Sequence, residues 1–372
     1  MSRTLSATGG TGLRDPATFG TGRQDRPAEY VAAYGPMSTG LRPPLRFGLA
    51  YDFRNPPGSA LETPALYAQV LDQVVLAEQW GYDVAWFTEH HFVDDGYLPS
   101  WVPVAGAVLG RTSRLRVSTD IAILPFYNPL RLAEDVAVLD NLSGGRIELG
   151  VGIGYAPHEF AAFGIPVSRR VSLMEEGLDL LKLAWSGERF SYHGKRYHLD
   201  DVKVTPRPVQ AGGPPLWIAA MTEAGAKRAA RHGAHFLPQG SSTVLDTWRR
   251  EVPDPASRRV GIIRSWLVTD DRERDWPPVR AAERYRMELY GRFFQEADEH
   301  WMEANDVIPQ VWAVGTAEEV EAQLASSIER FGLTDLACWA APPGVAPETM
   351  NLPLERFARE VMPRLRARFD QP

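Results

Sequence analysis

The sequence predicts a (β/α)8 barrel with insertions, the TIM-barrel form of an α/β fold. Between residue 45 and the carboxyl end, short apolar runs alternate eight times with stretches whose apolar residues recur at helical spacing. Such alternation indicates a parallel sheet covered by helices. The chain has 372 residues, of which 44% are hydrophobic, so it can fill one large barrel. We therefore expect a single barrel rather than two domains.

The predicted elements follow one another in a regular order. Strands are predicted at residues 45–51, 84–88, 115–124, 146–154, 216–220, 235–238, 260–268 and 335–339. Helices are predicted at residues 65–80, 101–109, 129–142, 168–185 and 222–232, and in a last stretch that includes 355–366. Gly81 supplies a helix stop, Pro129 fits a first helical turn, and the third strand is expected to break near Asp120. A two-stranded excursion is expected at residues 190–208.

Two segments stand apart from the alternation within the predicted barrel domain, residues 45–372. Residues 1–44 are rich in Gly, Thr, Ser, Arg and Pro, which predicts a flexible amino-terminal arm. Residues 280–306 carry aromatic side chains at roughly helical spacing but do not fit the barrel rhythm. Such a set either packs as core or forms a lid over the barrel mouth, and both alternatives stay open.

Composition argues against several classes of function. The net charge is −7, from 40 basic and 47 acidic residues, which argues against nucleic acid as the main partner and weakly against a membrane surface. No apolar run has the length that spans a bilayer, and residues 1–40 lack the pattern of a signal peptide. The single cysteine, Cys338, excludes an internal disulfide and fits a reducing cytoplasm.

The strand that begins at Val84 ends in three ionisable side chains, Glu89, His90 and His91. Ligands of barrels bind at the carboxyl ends of the strands, so these side chains are candidates for a catalytic site. Imidazole titrates near neutrality and can transfer protons. The alternative is that both histidines are loop or structural residues.

Two glycine-containing stretches indicate a bound cofactor. Gly150, Gly152 and Gly154 lie in a predicted strand, where they leave space for a planar ligand close to the backbone. The turn at residues 219–225 ends a strand in small residues and opens a helix, so it offers free N–H groups and a hydroxyl to a phosphate. The alternative is an ordinary capping turn, with Thr222 as N-cap.

Several stretches together resemble the bacterial luciferase-like family of flavin-dependent monooxygenases. They are residues 86–92, 128–135, 139–140, 143–146, 150–164 and 315–320. Their order and spacing match together from about residue 45 to the end. The resemblance implies a luciferase-like (β/α)8 barrel that binds reduced FMN in its mouth as a co-substrate. O2 would attack the flavin C4a carbon to give a peroxyflavin, which transfers one oxygen atom to an organic substrate.

The resemblance also implies partners. A separate NAD(P)H:flavin reductase would supply the reduced FMN, and the protein would be a cytoplasmic homodimer without a nucleic-acid or membrane partner. The substrate would be a small apolar or aromatic molecule. Aromatic residues that could line the mouth, or equally be core, are Tyr51, Phe53, Phe126, Trp266 and Trp339.

By resemblance, His90 matches the family histidine that lies beside the flavin and is needed for catalysis. Glu89 or Asp120 would hold its tautomer, and both are further catalytic candidates. Residues 119–121 match the stretch beside the isoalloxazine, where luciferase joins two small residues by a non-proline cis peptide. Asp120 departs from that pattern, which leaves open whether the cis bond is kept.

The resemblance also carries the cofactor site. Ile153 replaces a flavin-contacting arginine, and Arg170 lies within one position of an arginine that binds the phosphate. Met221 and Thr222 stand where luciferase uses Glu-Ser at the phosphate. The cofactor-binding candidates are Asp120, Asn128, Gly152, Tyr155, Arg170, Ala220, Met221, Thr222, Glu223 and Gly225.

Other functions stay open beside this one. A sister branch of the same fold uses the deazaflavin F420 for hydride transfer. A metal-dependent barrel hydrolase or isomerase could use Glu89, His90, His91 and Asp120 as ligands, although we expect no metal. A non-catalytic subunit is the last alternative, and His90 speaks against it.

Overall fold

The computed structural model describes residues 43–238, 242–294 and 312–370 of the chain. The predicted arm, residues 1–44, lies outside the described residues except for its last two positions. Of the predicted lid, residues 280–294 are described and residues 295–306 are not.

The elements of the described residues alternate as predicted. The strands are β1 (Arg46–Tyr51), β2 (Val84–Phe87), β3 (Arg116–Thr119), β4 (Ala122–Ile123), β5 (Leu149–Gly152), β6 (Phe190–His193), β7 (His198–Val202), β8 (Leu216–Ala219), β9 (His235–Leu237), β10 (Gly261–Ile263), β11 (Ser265–Val268), β12 (Trp312–Gly315) and β13 (Asp335–Trp339). The helices are α1 (Thr63–Trp80), α2 (Trp101–Arg111), α3 (Pro129–Ser143), α4 (Pro157–Ala162), α5 (Arg170–Trp185), α6 (Glu223–Arg231), α7 (Ser242–Glu251), α8 (Arg272–Phe294), α9 (Ala317–Phe331), α10 (Pro347–Arg356) and α11 (Met362–Phe369).

The strands close into a ring of parallel pairs. β1 pairs with β13 and β2, and β2 pairs with β3. β4, β5, β8 and β9 follow in that order, and β10 pairs with β13. Two isolated bridges, Val117 with Ile147 and Phe236 with Val260, join the remaining neighbours. The predicted (β/α)8 barrel is therefore confirmed.

Two strands of the barrel are interrupted. The third breaks where predicted, since β3 ends at Thr119, β4 begins at Ala122, and the Asp120–Ile121 peptide between them is cis. The seventh was predicted as one strand at residues 260–268, but it consists of β10 and β11. Here the prediction was wrong, because β11 leaves the ring and pairs with β12, a strand that the sequence reasoning missed.

The glycines of β5 make room for the interrupted third strand. A Cβ atom on Gly150 would collide with the carbonyl oxygen of Thr119, and one on Gly152 would lie 2.5 Å from Cδ1 of Ile121. A Cβ on Gly154 would lie 2.8 Å from Cγ2 of Ile123. The interpretation of these glycines as space for a planar ligand was wrong, because neighbouring protein atoms occupy that space.

A charged cluster fills the amino-terminal end of the barrel. Arg46 donates to Glu148 at 2.7 Å and to Asp335 at 2.5 Å. Burial by itself raises the pKa of Glu148, but the charges of Arg46 and Arg116 and the hydrogen bonds that it accepts hold that pKa well below its ordinary value. Each buried carboxylate is thus compensated by at least one guanidinium.

His235 lies beside this cluster as a neutral imidazole. Burial lowers the pKa of His235 to about 4. Its Nδ1 accepts the backbone N–H of Arg259 at 3.1 Å, a hydrogen bond that requires an unprotonated nitrogen.

Cys338 lies on β13 inside the barrel wall. The side chain is fully buried, and burial raises the pKa of its thiol to about 12.

No helix among residues 43–238, 242–294 and 312–370 is long and apolar enough to cross a membrane.

Candidate active site

His90 follows the carboxyl end of β2, at the mouth of the barrel. Its backbone N–H donates to the carbonyl of Leu98 at 3.2 Å, which fixes the loop after the strand. The residue is buried, with 6% of its surface exposed. Four aromatic rings have centroids within 5.9 Å of its own, those of Tyr97, Tyr155, Tyr290 and Phe293.

Glu159 on α4 orients the imidazole of His90. Its Oε1 lies 2.9 Å from Nδ1 of His90 and accepts the backbone N–H of His91 at 2.8 Å. The carboxylate is fully buried. The expectation that Glu89 or Asp120 holds the tautomer of His90 was therefore wrong. Sequence reasoning missed Glu159, although a carboxylate in the first turn of a short helix just after a strand end was a signal that could have found it.

Glu89 serves the other histidine. Its Oε1 lies 2.8 Å from Nε2 of His91, and its Oε2 accepts the hydroxyl of Tyr127 at 2.6 Å. Tyr127 in turn accepts the indole N–H of Trp101 at 3.1 Å. The two consecutive histidines thus face two different buried carboxylates.

Tyr155 is the hydrogen-bond partner of Nε2, the second ring nitrogen of His90. Its hydroxyl lies 3.0 Å from Nε2, on the side of the imidazole opposite Glu159. Burial raises the pKa of Tyr155 well above its ordinary value, so the phenol keeps its proton at neutral pH. The residue was predicted as a flavin contact, and its hydroxyl instead meets the catalytic candidate.

A backbone hydrogen bond holds Asp120 beside the end of β2, the strand that precedes His90. Its N–H donates to the carbonyl of Phe87, the last residue of β2, at 2.9 Å. The structure thus brings the cis peptide of residues 120–121 next to the strand that carries His90. The cis bond of the family pattern is kept despite the aspartate.

The predicted phosphate turn lies at the end of β8. Thr222 is the N-cap of α6, and its hydroxyl accepts the N–H of Gly225 at 3.2 Å. A Cβ on Gly225 would lie 2.7 Å from that of the buried Ala220, so a glycine is needed there for the helix to meet the strand. Met221 is 52% exposed and Glu223 is also exposed, so the amino end of the helix is open.

Arg170 is the first residue of α5 and lies near the carboxyl end of β5, the strand that neighbours β8. Its guanidinium donates to the carbonyl of Gly154 at 3.4 Å, just past β5. β5 and β8 are parallel neighbours. Arg170 and Thr222 therefore both lie beyond the carboxyl ends of these two strands. A guanidinium, a hydroxyl and a helix N-terminus are a donor set that suits a phosphate. The carboxylate of Glu223 does not belong to that set, because it would repel the anion.

Two further predicted residues have other roles in the structure. Asn128 caps α3, since its Oδ1 accepts the N–H groups of Leu130 and Arg131. Trp266 stacks on Phe357 with ring centroids 4.0 Å apart, so it faces the helical layer. The assignment of Trp266 to the barrel mouth was therefore wrong.

The other aromatic candidates differ in burial. Tyr51 and Phe53 are buried among aromatic neighbours, with 0% and 1% of their surface exposed. Trp339 lies under the guanidinium of Arg286, at 4.0 Å from its ring centroid. Phe126 is half-buried, with its ring 5.8 Å from that of His91. Phe126 thus remains the best placed of them for a ligand.

The described part of the predicted lid is a packed helix, α8. Arg286 binds Asp52 at 3.3 Å, Tyr285 donates to Asp95 at 3.0 Å, and the hydroxyl of Tyr290 lies 3.0 Å from that of Tyr97. These contacts join α8 to the barrel mouth above His90. They favour the core alternative for residues 280–294.

The described residues offer no metal centre. No group of three or more His, Cys, Asp or Glu side chains in residues 43–238, 242–294 and 312–370 is arranged to hold a metal ion. The acidic and imidazole side chains of the mouth are instead engaged pairwise.

The comparison with known proteins identifies the family. The sequence profile of the luciferase-like monooxygenases matches residues 45–335. The chain belongs to the luciferase-like monooxygenase family. One relative is the alkanal monooxygenase alpha chain of Photorhabdus luminescens, 31% identical over 172 residues, which are 46% of this chain and 47% of the relative. The chain aligns with about half of the length of this curated relative.

Solved structures of the luciferase-like fold cover more of the chain. The monooxygenase RslO1 of Streptomyces bottropensis has a TM-score of 0.76 at 24% identity, over 86% of this chain and 99% of that one. The oxygenating constituent of 3,6-diketocamphane monooxygenase from Pseudomonas putida, solved with FMN, has a TM-score of 0.73 at 18% identity, over 87% and 99%. An F420-dependent secondary alcohol dehydrogenase has a TM-score of 0.66 at 21% identity, over 87% and 99%. At these identities the likeness shows the fold.

Proposed function

We propose that this luciferase-like protein is a monooxygenase that uses reduced FMN and O2 to add one oxygen atom to a small apolar or aromatic molecule. The observation that carries the proposal is the buried pair of His90 and Glu159 at the carboxyl end of β2. A histidine held by a carboxylate is a typical proton-transfer group, and the carboxyl ends of barrel strands are where such groups act.

The donor set beyond β5 and β8 supports FMN as the cofactor. The guanidinium of Arg170, the hydroxyl of Thr222 and the open amino end of α6 would hold the phosphate. When bound, reduced FMN supplies the electrons that activate O2. The isoalloxazine would lie toward residues 119–121, between the phosphate site and His90.

The chain's own part in the reaction is proton transfer and exclusion of water. His90 with Glu159 would take up and return a proton at the reacting atoms, because the carboxylate stabilises the imidazolium that forms. The rings of Tyr97, Tyr290 and Phe293 around the imidazole would keep bulk water away from it. Phe126, beside His91, would offer an apolar face to the substrate.

A second candidate is an F420-dependent oxidoreductase. The fold similarity to an F420-dependent dehydrogenase favours it, and the phosphate donor set does not discriminate, since both cofactors carry a phosphate group. We place it second because an acid–base pair at the mouth serves oxygen transfer at least as well as hydride transfer.

The proposal includes partners and a location. A separate NAD(P)H:flavin reductase would deliver reduced FMN, and the enzyme would act as a cytoplasmic homodimer. The substrate would be a small organic molecule with an apolar or aromatic body.

The test begins with the cofactor. Purified protein is titrated with reduced FMN, F420 and divalent metals, and we expect saturable binding of reduced FMN. A compound library is then incubated with the protein, reduced FMN and 18O-labelled O2, and products are screened by mass spectrometry for the gain of one labelled oxygen. Tight binding of F420 alone, or hydride transfer from it, would replace the proposal with the second candidate.

A further inference from the structure

The imidazole of His90 has protein partners at both of its nitrogens. An imidazole nitrogen carries either one hydrogen or one lone pair in the ring plane, so each nitrogen makes one strong hydrogen bond. Nδ1 is engaged by Glu159 at 2.9 Å and Nε2 by the hydroxyl of Tyr155 at 3.0 Å. The ring is also buried, with 6% of the residue exposed. A ligand atom therefore cannot reach a nitrogen of His90 unless one partner leaves.

The hydrogen bonds of Glu159 determine which atoms donate and which accept in the row that runs from Glu159 through His90 to Tyr155. Its Oε1 accepts the backbone N–H of His91, which can only donate. The same oxygen is then the acceptor for a hydrogen on Nδ1 of His90. A neutral imidazole with its hydrogen on Nδ1 has its lone pair on Nε2, so Tyr155 is the donor of that hydrogen bond.

We propose that Tyr155 is the catalytic residue that exchanges the proton with the reacting molecule, and that His90 and Glu159 act through it as a relay. This inference rests on the proposed function, which it deepens. Tyr155 is only half-buried, whereas Glu159 and His90 are buried. Tyr155 is thus the most exposed residue of the row. His90 becomes a positioning and proton-storing residue rather than the group that touches the ligand.

The relay moves one proton without changing the number of bonds. In the resting arrangement the O–H bond of Tyr155 breaks as its hydrogen passes to Nε2, and the phenol oxygen takes the hydrogen of an acidic O–H or N–H on the ligand. The result is a deprotonated ligand with a negative charge, a neutral phenol and an imidazolium whose positive charge faces the carboxylate of Glu159. The reverse sequence returns the proton. A ligand with an acidic O–H or N–H, as phenols and enols have, is the class that this relay serves.

The first arm of the test needs no flavin. Protein with 15N-labelled histidine is studied by long-range 1H–15N correlation, and the His90 signals are assigned as those absent from His90→Asn. We expect a neutral ring with hydrogen on Nδ1 in the wild type, and a downfield shift of Nε2 in Tyr155→Phe, which removes only the hydroxyl. Tyr290→Phe is the matched control, because its hydroxyl bonds that of Tyr97 and not His90. Hydrogen on Nε2 in the wild type, or an unmoved Nε2 signal in Tyr155→Phe, overturns the relay.

The second arm uses reduced FMN, O2 and the compound that the labelled-oxygen screen identifies. Tyr155→Phe should lower coupled oxygen transfer about 100- to 10,000-fold, as expected for loss of a positioned proton carrier. Full coupling in Tyr155→Phe together with a loss in His90→Asn would overturn the inference, because His90 would then reach the ligand directly. If the wild type adds oxygen to no compound, the proposed function fails, and the NMR arm alone decides the relay.

Discussion

The buried carboxylates at the two ends of the barrel have different kinds of partner. At the amino-terminal end, Glu148 and Asp335 share the guanidinium of Arg46. At the mouth, Glu159 and Glu89 face the imidazoles of His90 and His91. A guanidinium keeps its charge at every working pH and can only donate, whereas an imidazole can either donate or accept a proton. The same geometry therefore holds the fold at one end and can move protons at the other.

This difference predicts opposite effects for substitutions at the two ends. A change at the mouth should lower the rate of the reaction more than the stability. A change at the amino-terminal end should do the reverse.

His90→Asn should have the largest effect. The amide nitrogen of asparagine can still donate to Glu159, but the side chain no longer titrates, so coupled oxygen transfer should fall about 100- to 10,000-fold. Reduced flavin should still be consumed by O2, with hydrogen peroxide as the product. The free energy of unfolding should fall by only about 0.5–3 kcal/mol. Product yield per flavin oxidised measures the first effect. Full coupled turnover in this variant would remove His90 from the mechanism.

Arg46→Met should mainly destabilise the fold. It leaves Glu148 and Asp335 without their shared cation, and loss of one partner from a buried ion pair costs roughly 3–5 kcal/mol. Denaturant unfolding of both proteins measures the difference. Arg111→Met, which breaks an exposed pair with Asp72, is the control and should cost less than about 1 kcal/mol. Equal effects of the two substitutions would mean that the buried cluster does not hold the barrel together.

Arg170→Ala should weaken the binding of reduced FMN without destabilising the barrel. It removes a charged hydrogen bond to the phosphate, worth about 1–3 kcal/mol, which is roughly a 5- to 150-fold change in Kd. Anaerobic titration measures the affinity. Arg169→Ala is the matched control, because Arg169 is the adjacent and exposed arginine. A larger loss in the control would shift the phosphate contact by one position.

His235→Asn should change the pH dependence of stability. The pKa of His235 is lowered to about 4 from its ordinary value of 6.5, so between these values the unfolded chain binds the extra proton. The contribution of His235 to the free energy of unfolding therefore rises with pH between about 4 and 6.5, by at most about 1.4 kcal/mol per pH unit. Asparagine keeps an acceptor for the N–H of Arg259 but does not titrate, which should flatten the slope.

The sequence predicted those elements whose structure is determined by a local pattern of residues. The barrel strands and their helices follow from periodicity, and the break near Asp120 was predicted because this carboxylate lies in the middle of the third predicted strand. The split of β10 and β11 was missed, because pairing with β12 depends on residues distant in the chain. The catalytic candidate His90 was visible from its strand end.

The partners of His90 could not be predicted, because no local pattern determines which carboxylate a side chain meets. Glu89 is the nearest carboxylate in sequence, yet Glu159 from another loop binds Nδ1. For the same reason Gly150 and Gly152 were assigned to a ligand, whereas they make room for the carbonyl of Thr119 and the side chain of Ile121. Tyr155 was recognised as a site residue, but only the folded chain shows what its hydroxyl contacts.

The buried thiol of Cys338 makes the chain suitable for site-directed labelling. Thiolates, not thiols, attack maleimides, and a thiol with a pKa near 12 inside the barrel wall is inert to them. A cysteine introduced by Met221→Cys would then be the one reactive thiol of the chain, at a position that is 52% exposed beside Thr222. A fluorophore there would test for binding at the proposed phosphate site without removal of the native cysteine.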